Sequence, residues 1–149
     1  MNLGIYIDSL QEDEKFVYIA ASINAGIEQG LLTDASIFYD DIGLNSVPLK
    51  CGCFNSTDLW NFTGSLITTS INSTVKALNI VNKFNVYFYH GWLENNNTLG
   101  LIATTTNPAV KTLCKDEAGA KEFYRITGIT PVGLVDNFNL TEILQQVTT

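Results

Sequence analysis

The sequence predicts an α/β protein with an open, doubly wound, mainly parallel sheet covered by helices on both faces. Three observations carry this. Strand-like and helix-like segments alternate along the whole length, the pattern that right-handed crossovers turn into a parallel sheet. The strand candidates "LGIYI" and "NVYFYH" have no polar face, as a sheet interior covered on both sides requires. The composition, 46 % apolar and 15 % charged with mean hydropathy +0.13, supplies enough apolar surface to offset chain entropy. At 149 residues there is room for one domain, residues 1–149, a Rossmann-like three-layer sandwich.

The elements follow in order. Leu3 to Ile7 reads as a buried central strand ending at a turn at Asp8-Ser9. Phe16, Ile19, Ala20, Ile23 and Ile27 recur at three and four, with acids in the first turn and Gly30 after the last, so "DEKFVYIAASINAGIEQG" predicts an amphipathic helix. "ASIFYDD" predicts a second strand and "VPLKCGCF" a third, followed by a short helix in "STDLWNF" capped by Ser56 or Thr57. "SLITTSI" is read as a strand, and "STVKALNIVNKF" as a helix with Val75, Leu78, Ile80 and Val81 on its apolar face. "NVYFYH" and "LGLIATT" are read as two more strands. A helix starting at Pro108 and running through "NPAVKTLCKDEAGAKEFYRITG" is expected, with a break near Gly119. "PVGLV" gives the last strand, and "NLTEILQQV" a closing helix with Asn139 as N-cap and Glu142 completing a capping box.

Charge excludes some partners. Residues 1–48 hold eight acids against Lys15 alone, while the remainder balances seven acids with seven bases, so the whole net charge of -7 sits in the first third. An acidic chain without a basic cluster repels phosphate backbones and anionic lipid, so neither nucleic acid nor membrane is expected as a partner. With no apolar run of eighteen residues and no basic leader before an apolar stretch, membrane insertion is not expected and a cytoplasmic location is. The richness in Asn, Ile, Thr and Lys fits an AT-rich phage or bacterial genome. Cys51, Cys53 and Cys114 are an odd count in C-x-C rather than C-x-x-C spacing, which favours buried structural thiols over a disulfide framework or a metal site.

No phosphate-binding glycine pattern follows the first strand, no P-loop occurs, and no cofactor is expected. The fold itself selects the strand exits as the binding edge. Asp8 and Ser9 leave the central strand; Asp40-Asp41, Cys53–Asn55, Ser70–Asn72, Thr104–Asn107 and Asp136-Asn137 mark other exits. Asp40-Asp41 is read as a solvated turn rather than a cation site. The sole histidine, His90, is followed by Gly91, which permits close backbone approach, by Trp92, a stacking face for sugars or bases, and by Glu94. Ligand binding is therefore expected at Asp8, Ser9, His90, Gly91, Trp92 and Glu94. For catalysis the candidates are His90 and Asp8, and no triad can be assembled around one histidine.

"LITTSINSTVKALNIVNKFNVYFYHGWLE" and the later "Val135-Asp136-Asn137-Phe138-Asn139-Leu140" resemble the N-terminal Rossmann-like domain of GT-B-fold glycosyltransferases over about residues 65–145. In that family a strand of this kind ends in a histidine near the acceptor cleft. The family's glycine-rich loop after the first strand is replaced here by Asp8-Ser9-Leu10-Gln11. The resemblance implies a glycosyltransferase-like module that binds a small polar ligand, a sugar or nucleotide, without its own donor domain. The alternative it leaves open is half of a split or oligomeric glycosyltransferase, or another Rossmann-like enzyme using His90. A protein partner or homodimer is compatible with either.

Overall fold

The computed structural model describes residues 2–32, 34–80, 84–90 and 98–148. Among them seven strands form one all-parallel sheet: β1 (Asn2–Leu10), β2 (Asp34–Ile42), β3 (Gly52–Asn55), β4 (Gly64–Thr68), β5 (Phe84–His90), β6 (Val110–Cys114) and β7 (Gly133–Leu134). The order across the sheet is β3-β2-β1-β4-β5-β6-β7. The helices are α1 (Glu14–Glu28), α2 (Ile71–Leu78), α3 (Thr98–Thr105), α4 (Glu117–Thr127) and α5 (Leu140–Thr148). The doubly wound, three-layer α/β architecture expected from the alternation is the one observed.

Two cores sandwich the sheet. Leu3, Ile5 and Ile7 point to one face, where Phe16, Ile19 and Ile23 of α1 and Leu140 and Ile143 of α5 cover them. Tyr6 points to the other, where Phe62, Ala77 of α2, Leu101 of α3 and Phe123 of α4 lie. This alternation along β1 is the period of two that buries a central strand on both sides. Asp13 caps α1, its side chain accepting from the Phe16 N–H at 2.8 Å, and Gly30 leaves the helix at φ 73°. The first core reaches the segment after β7 through Tyr89, whose hydroxyl donates to Val135 O at 2.7 Å and accepts from Phe138 N at 3.1 Å. It thereby steadies a turn in which Asn137 and Phe138 both hold positive φ.

Four expectations are corrected. "LGLIATT" is not a strand but helix α3; a seven-residue apolar run does not separate strand from buried helix, and Thr105 returns its hydroxyl to Leu101 O at 2.6 Å, so threonine is no obstacle to helix here. The helix expected from Pro108 is instead strand β6 followed by α4. Lys111 faces out while Val110, Thr112 and Leu113 are buried, and Asp116, accepting from Gly119 N at 2.6 Å, is where the helix begins. Gly119 therefore sits in a first turn rather than at a break. The third strand is shorter than expected, because Pro48 has no N–H for a ladder and the preceding segment is held by Asn24 of α1 instead, bonded to Pro48 O and Lys50 N at 2.8 Å each. Finally, α2 buries Ser73, Thr74 and Ala77, while Val75 is exposed; Val81 lies outside the described residues.

The caps also differ in detail. The short helix at Ser56–Asn61 is a 3₁₀ turn capped by Asn55, which accepts from Thr57 N at 3.1 Å. Asn139 caps α5 as expected, with Glu142 N donating to its side chain at 3.2 Å, but the Glu142 carboxylate turns away to accept from Asp136 N at 2.7 Å.

Candidate functional site

The connection after β1 runs through α1 on one face of the sheet, and the connection after β4 runs through α2 on the other. These two strands are neighbours, so their carboxyl ends mark the switch in strand order at which parallel α/β sheets hold ligands in a crevice. What lines it follows from the alternation. Asp8, two residues beyond Tyr6, faces α2, whereas Ser9 is paired with Asp41 and turns to the α1 side. Of the two expected contacts on β1, Asp8 alone faces the α2 side of the crevice.

Asp8 does not stand free there. Its Oδ1 accepts from the Ser70 hydroxyl at 2.8 Å, and Ser70 is the N-cap of α2 in a reciprocal capping box with Ser73. Thr69 reaches back to Tyr6 O at 3.0 Å, and Thr68 and Thr74 share a hydroxyl bond of 2.6 Å. The buried hydroxyls of "TTS" are thus all bonded, and they lock the end of β4 and the start of α2 against β1. The sequence placed Ser70 at a strand exit without assigning it a role; the capping pattern Ser70-x-x-Ser73 was the signal for its place.

Beside this lies a group that sequence reasoning missed. The Tyr6 hydroxyl donates to Asp40 Oδ1 at 2.7 Å, and Lys76 of α2 reaches Asp40 Oδ2 at 2.9 Å. Partial burial pushes the Asp40 carboxyl up, but hydrogen bonds from Ser56, Tyr6 and Lys76 outweigh that and hold it below its usual range. Burial and the bond to Asp40 raise the Tyr6 phenol well above its usual value, and Asp40 raises the Lys76 ammonium. Asp40-Asp41 is therefore not a solvated turn as a unit: Asp40 is tied in, with its side chain 15 % exposed, and only Asp41 is in water. No three metal-ligating side chains converge among the described residues.

His90 closes β5 on the same face, 7 % exposed, with Phe88 and Phe123 rings 5.8 and 5.3 Å from it. Burial lowers its imidazole below the ordinary value, so it is neutral at pH 7. β4 separates it from β1, and two strand spacings put the Asp8 and His90 backbones about 10 Å apart. The two catalytic candidates share an edge of the sheet without forming a hydrogen-bonded pair. Gly91, Trp92 and Glu94 lie outside the described residues. A separate open hollow of about 520 Å³, walled by Tyr124, Pro131 and Leu134 with Lys121 at its rim, sits at the β7 edge, three strands from the crevice.

The depressed His90 value has a consequence for stability. The unfolded chain binds the proton more readily than the folded one, so stability present at pH 8 falls as pH drops through the unfolded value of about 6.5 and levels off below the folded one. Urea midpoints at pH 8 and pH 5 are expected to differ more in the wild type than in His90→Gln. Equal differences in the two proteins would show that burying His90 carries no protonation cost.

The fold is therefore that of an α/β, Rossmann-like sandwich with no helix, among the described residues, long and apolar enough to cross a membrane. No family model, no curated protein and no solved structure matches the chain.

Proposed function

We propose that the chain is a binding or accessory module for a small, uncharged polar ligand, a sugar in preference to a nucleotide, taken up at the exits of β1, β4 and β5. The observation that carries the reading is the occupation of the α2 N-terminus. In nucleotide-binding sheets the helix start at such a crevice receives a phosphate; here the Asp8 carboxylate already reaches the cap through Ser70, with Asp40 and Asp41 on the next strand and Lys76 already paired. A phosphate would meet like charge. Carboxylates with spare lone pairs accept hydrogen bonds from hydroxyls instead, and His90 supplies a ring nitrogen on the same edge.

The resemblance to the GT-B glycosyltransferase N-terminal domain supports the same ligand class, since that half of the family meets the acceptor rather than the sugar-nucleotide donor. One observation favours a second reading, an enzyme or part of one that uses His90: a neutral imidazole at pH 7 is in the base form that proton abstraction needs. Titration of free sugars, nucleotides and UDP-sugars, followed by tryptophan fluorescence, tests the first reading. Neutral sugars are expected to change the signal in the wild type and to lose the effect in Trp92→Ala. A response to nucleotides alone, or none that differs between the two proteins, would overturn it. Any turnover found in that screen and unchanged in His90→Gln would overturn the second.

A further inference from the structure

The three cysteines are not equivalent. Cys114 is buried in the second core, and burial together with Asp116 pushes its thiol up to about 12. Cys51 and Cys53 are only half-buried and flank Gly52, Cys51 just before β3 and Cys53 within it. β3 is the sheet's outer strand, paired with β2 alone. Their expected role as buried structural thiols fits Cys114 and not these two.

Geometry brings the pair together. Cys51 and Cys53 are separated by one residue in extended chain, the spacing that returns a side chain to the same face, and both pack against the same core, the one covered by α1. Two residues of extended chain separate Cα atoms by about 6.6 Å, inside the upper end of the span a disulfide bridges. The chain bends at Lys50-Cys51, which shortens it further, and the residue between them is Gly52. Their proximity sets the two thiols apart: the neighbouring Cys53, together with burial, holds the proton on Cys51, whereas Cys51 draws the Cys53 thiol below its usual value against the opposing effect of burial.

We propose that Cys51 and Cys53 are a redox-active dithiol that hydrogen peroxide closes to an intramolecular disulfide at the β3 edge. In the first step the Cys53 thiolate attacks one peroxide oxygen; the O–O bond breaks, Cys53 becomes a sulfenic acid, and the departing hydroxide takes the Cys51 proton as water. In the second step the Cys51 thiolate attacks the Cys53 sulfur and expels hydroxide, which leaves as a second water on protonation. Two thiols are oxidised and one peroxide is reduced. A bridge across a single intervening residue is strained, so a small dithiol reductant reopens it, which makes it a switch rather than a staple.

The test is intact-mass and peptide mapping of the full chain, thiols alkylated after exposure to hydrogen peroxide, with the fold checked by circular dichroism. Wild type is expected to lose two of its three alkylatable thiols, to show a Cys51–Cys53 linkage, and to regain both thiols with dithiothreitol. Cys51→Ser is expected to carry a dimedone-trappable sulfenic acid at Cys53, and Cys53→Ser to keep its two thiols through the same exposure. Retention of all three thiols in wild type, a linkage that includes Cys114 or a second chain, or equal oxidation rates in folded and urea-unfolded protein would overturn the proposal.

Discussion

Replacing Phe123 by alanine is expected to destabilise the protein by about 3–5 kcal/mol, the range for truncating a fully buried aromatic side chain. Phe123 is the buried residue of α4, 0 % exposed, and Ala120 and Ile126 on that helix are only partly covered, so one ring anchors the helix to β5 and β6. Its removal has a second effect at the end of β5. His90 stands 5.3 Å from this ring and owes its lowered value to burial, so water entering the vacated space is expected to return the imidazole toward the ordinary histidine range. With one histidine in the chain, a single imidazole resonance in a proton NMR titration reports this without ambiguity. Phe123→Leu, which keeps most of the volume, is expected to show the same direction with a smaller loss of stability. A midpoint shift without any change in the His90 titration would mean that Phe123 does not shield the site.

Gly64→Ala is expected to cost about 3 kcal/mol or more, combining a backbone conformation that side chains rarely adopt with forced overpacking. Gly64 opens β4 at φ 130°, and a Cβ there would stand 2.3 Å from the Asn2 carbonyl oxygen, a backbone atom that cannot step aside without moving β1. β1 and β4 are the pair that frames the crevice, so this glycine sets how closely the two strands start. Gly30 provides the comparison: its φ is 73°, but nothing lies within 4 Å of its Cβ position, so Gly30→Ala is expected to cost only about 1 kcal/mol through the left-handed conformation alone. Urea denaturation with unchanged m-values measures both. Equal costs at the two positions would show that the Asn2 contact adds nothing.

The segments legible in the sequence were those in which local and tertiary preferences agree. β1 and β5 are apolar on both faces, as their central places in the sheet demand, and α1 carries its period, its Asp13 cap and its Gly30 stop within twenty residues. From Thr98 to Thr127 the same rules misled, because Val110, Leu113 and Cys114 satisfy a helical spacing and a buried strand equally well. Asp116 followed by Glu117 was the better mark of the helix start than Pro108. Among the candidate site residues, His90 ends β5 as its strand exit predicts, whereas the turn expected at Asp8-Ser9 is still strand, because β1 stays paired with β2 to Leu10. The Tyr6–Asp40–Lys76 group was not legible, since its bonds join residues 34 and 36 positions apart, a pairing that only the parallel register of β1 with β2 and the seating of α2 bring about.

The exits of β1, β4 and β5 are proposed to take up a neutral, hydroxyl-bearing ligand. Amide chemical-shift mapping of the isotope-labelled chain against free sugars, with a nucleotide as the contrasting probe, tests that uptake most directly. The predicted result is saturable shifts at Asp8, Ser70 and His90 with a sugar and smaller ones with the nucleotide. Shifts confined to the β7 edge around Tyr124 and Leu134, or stronger shifts at the α2 N-terminus with the nucleotide, would contradict it.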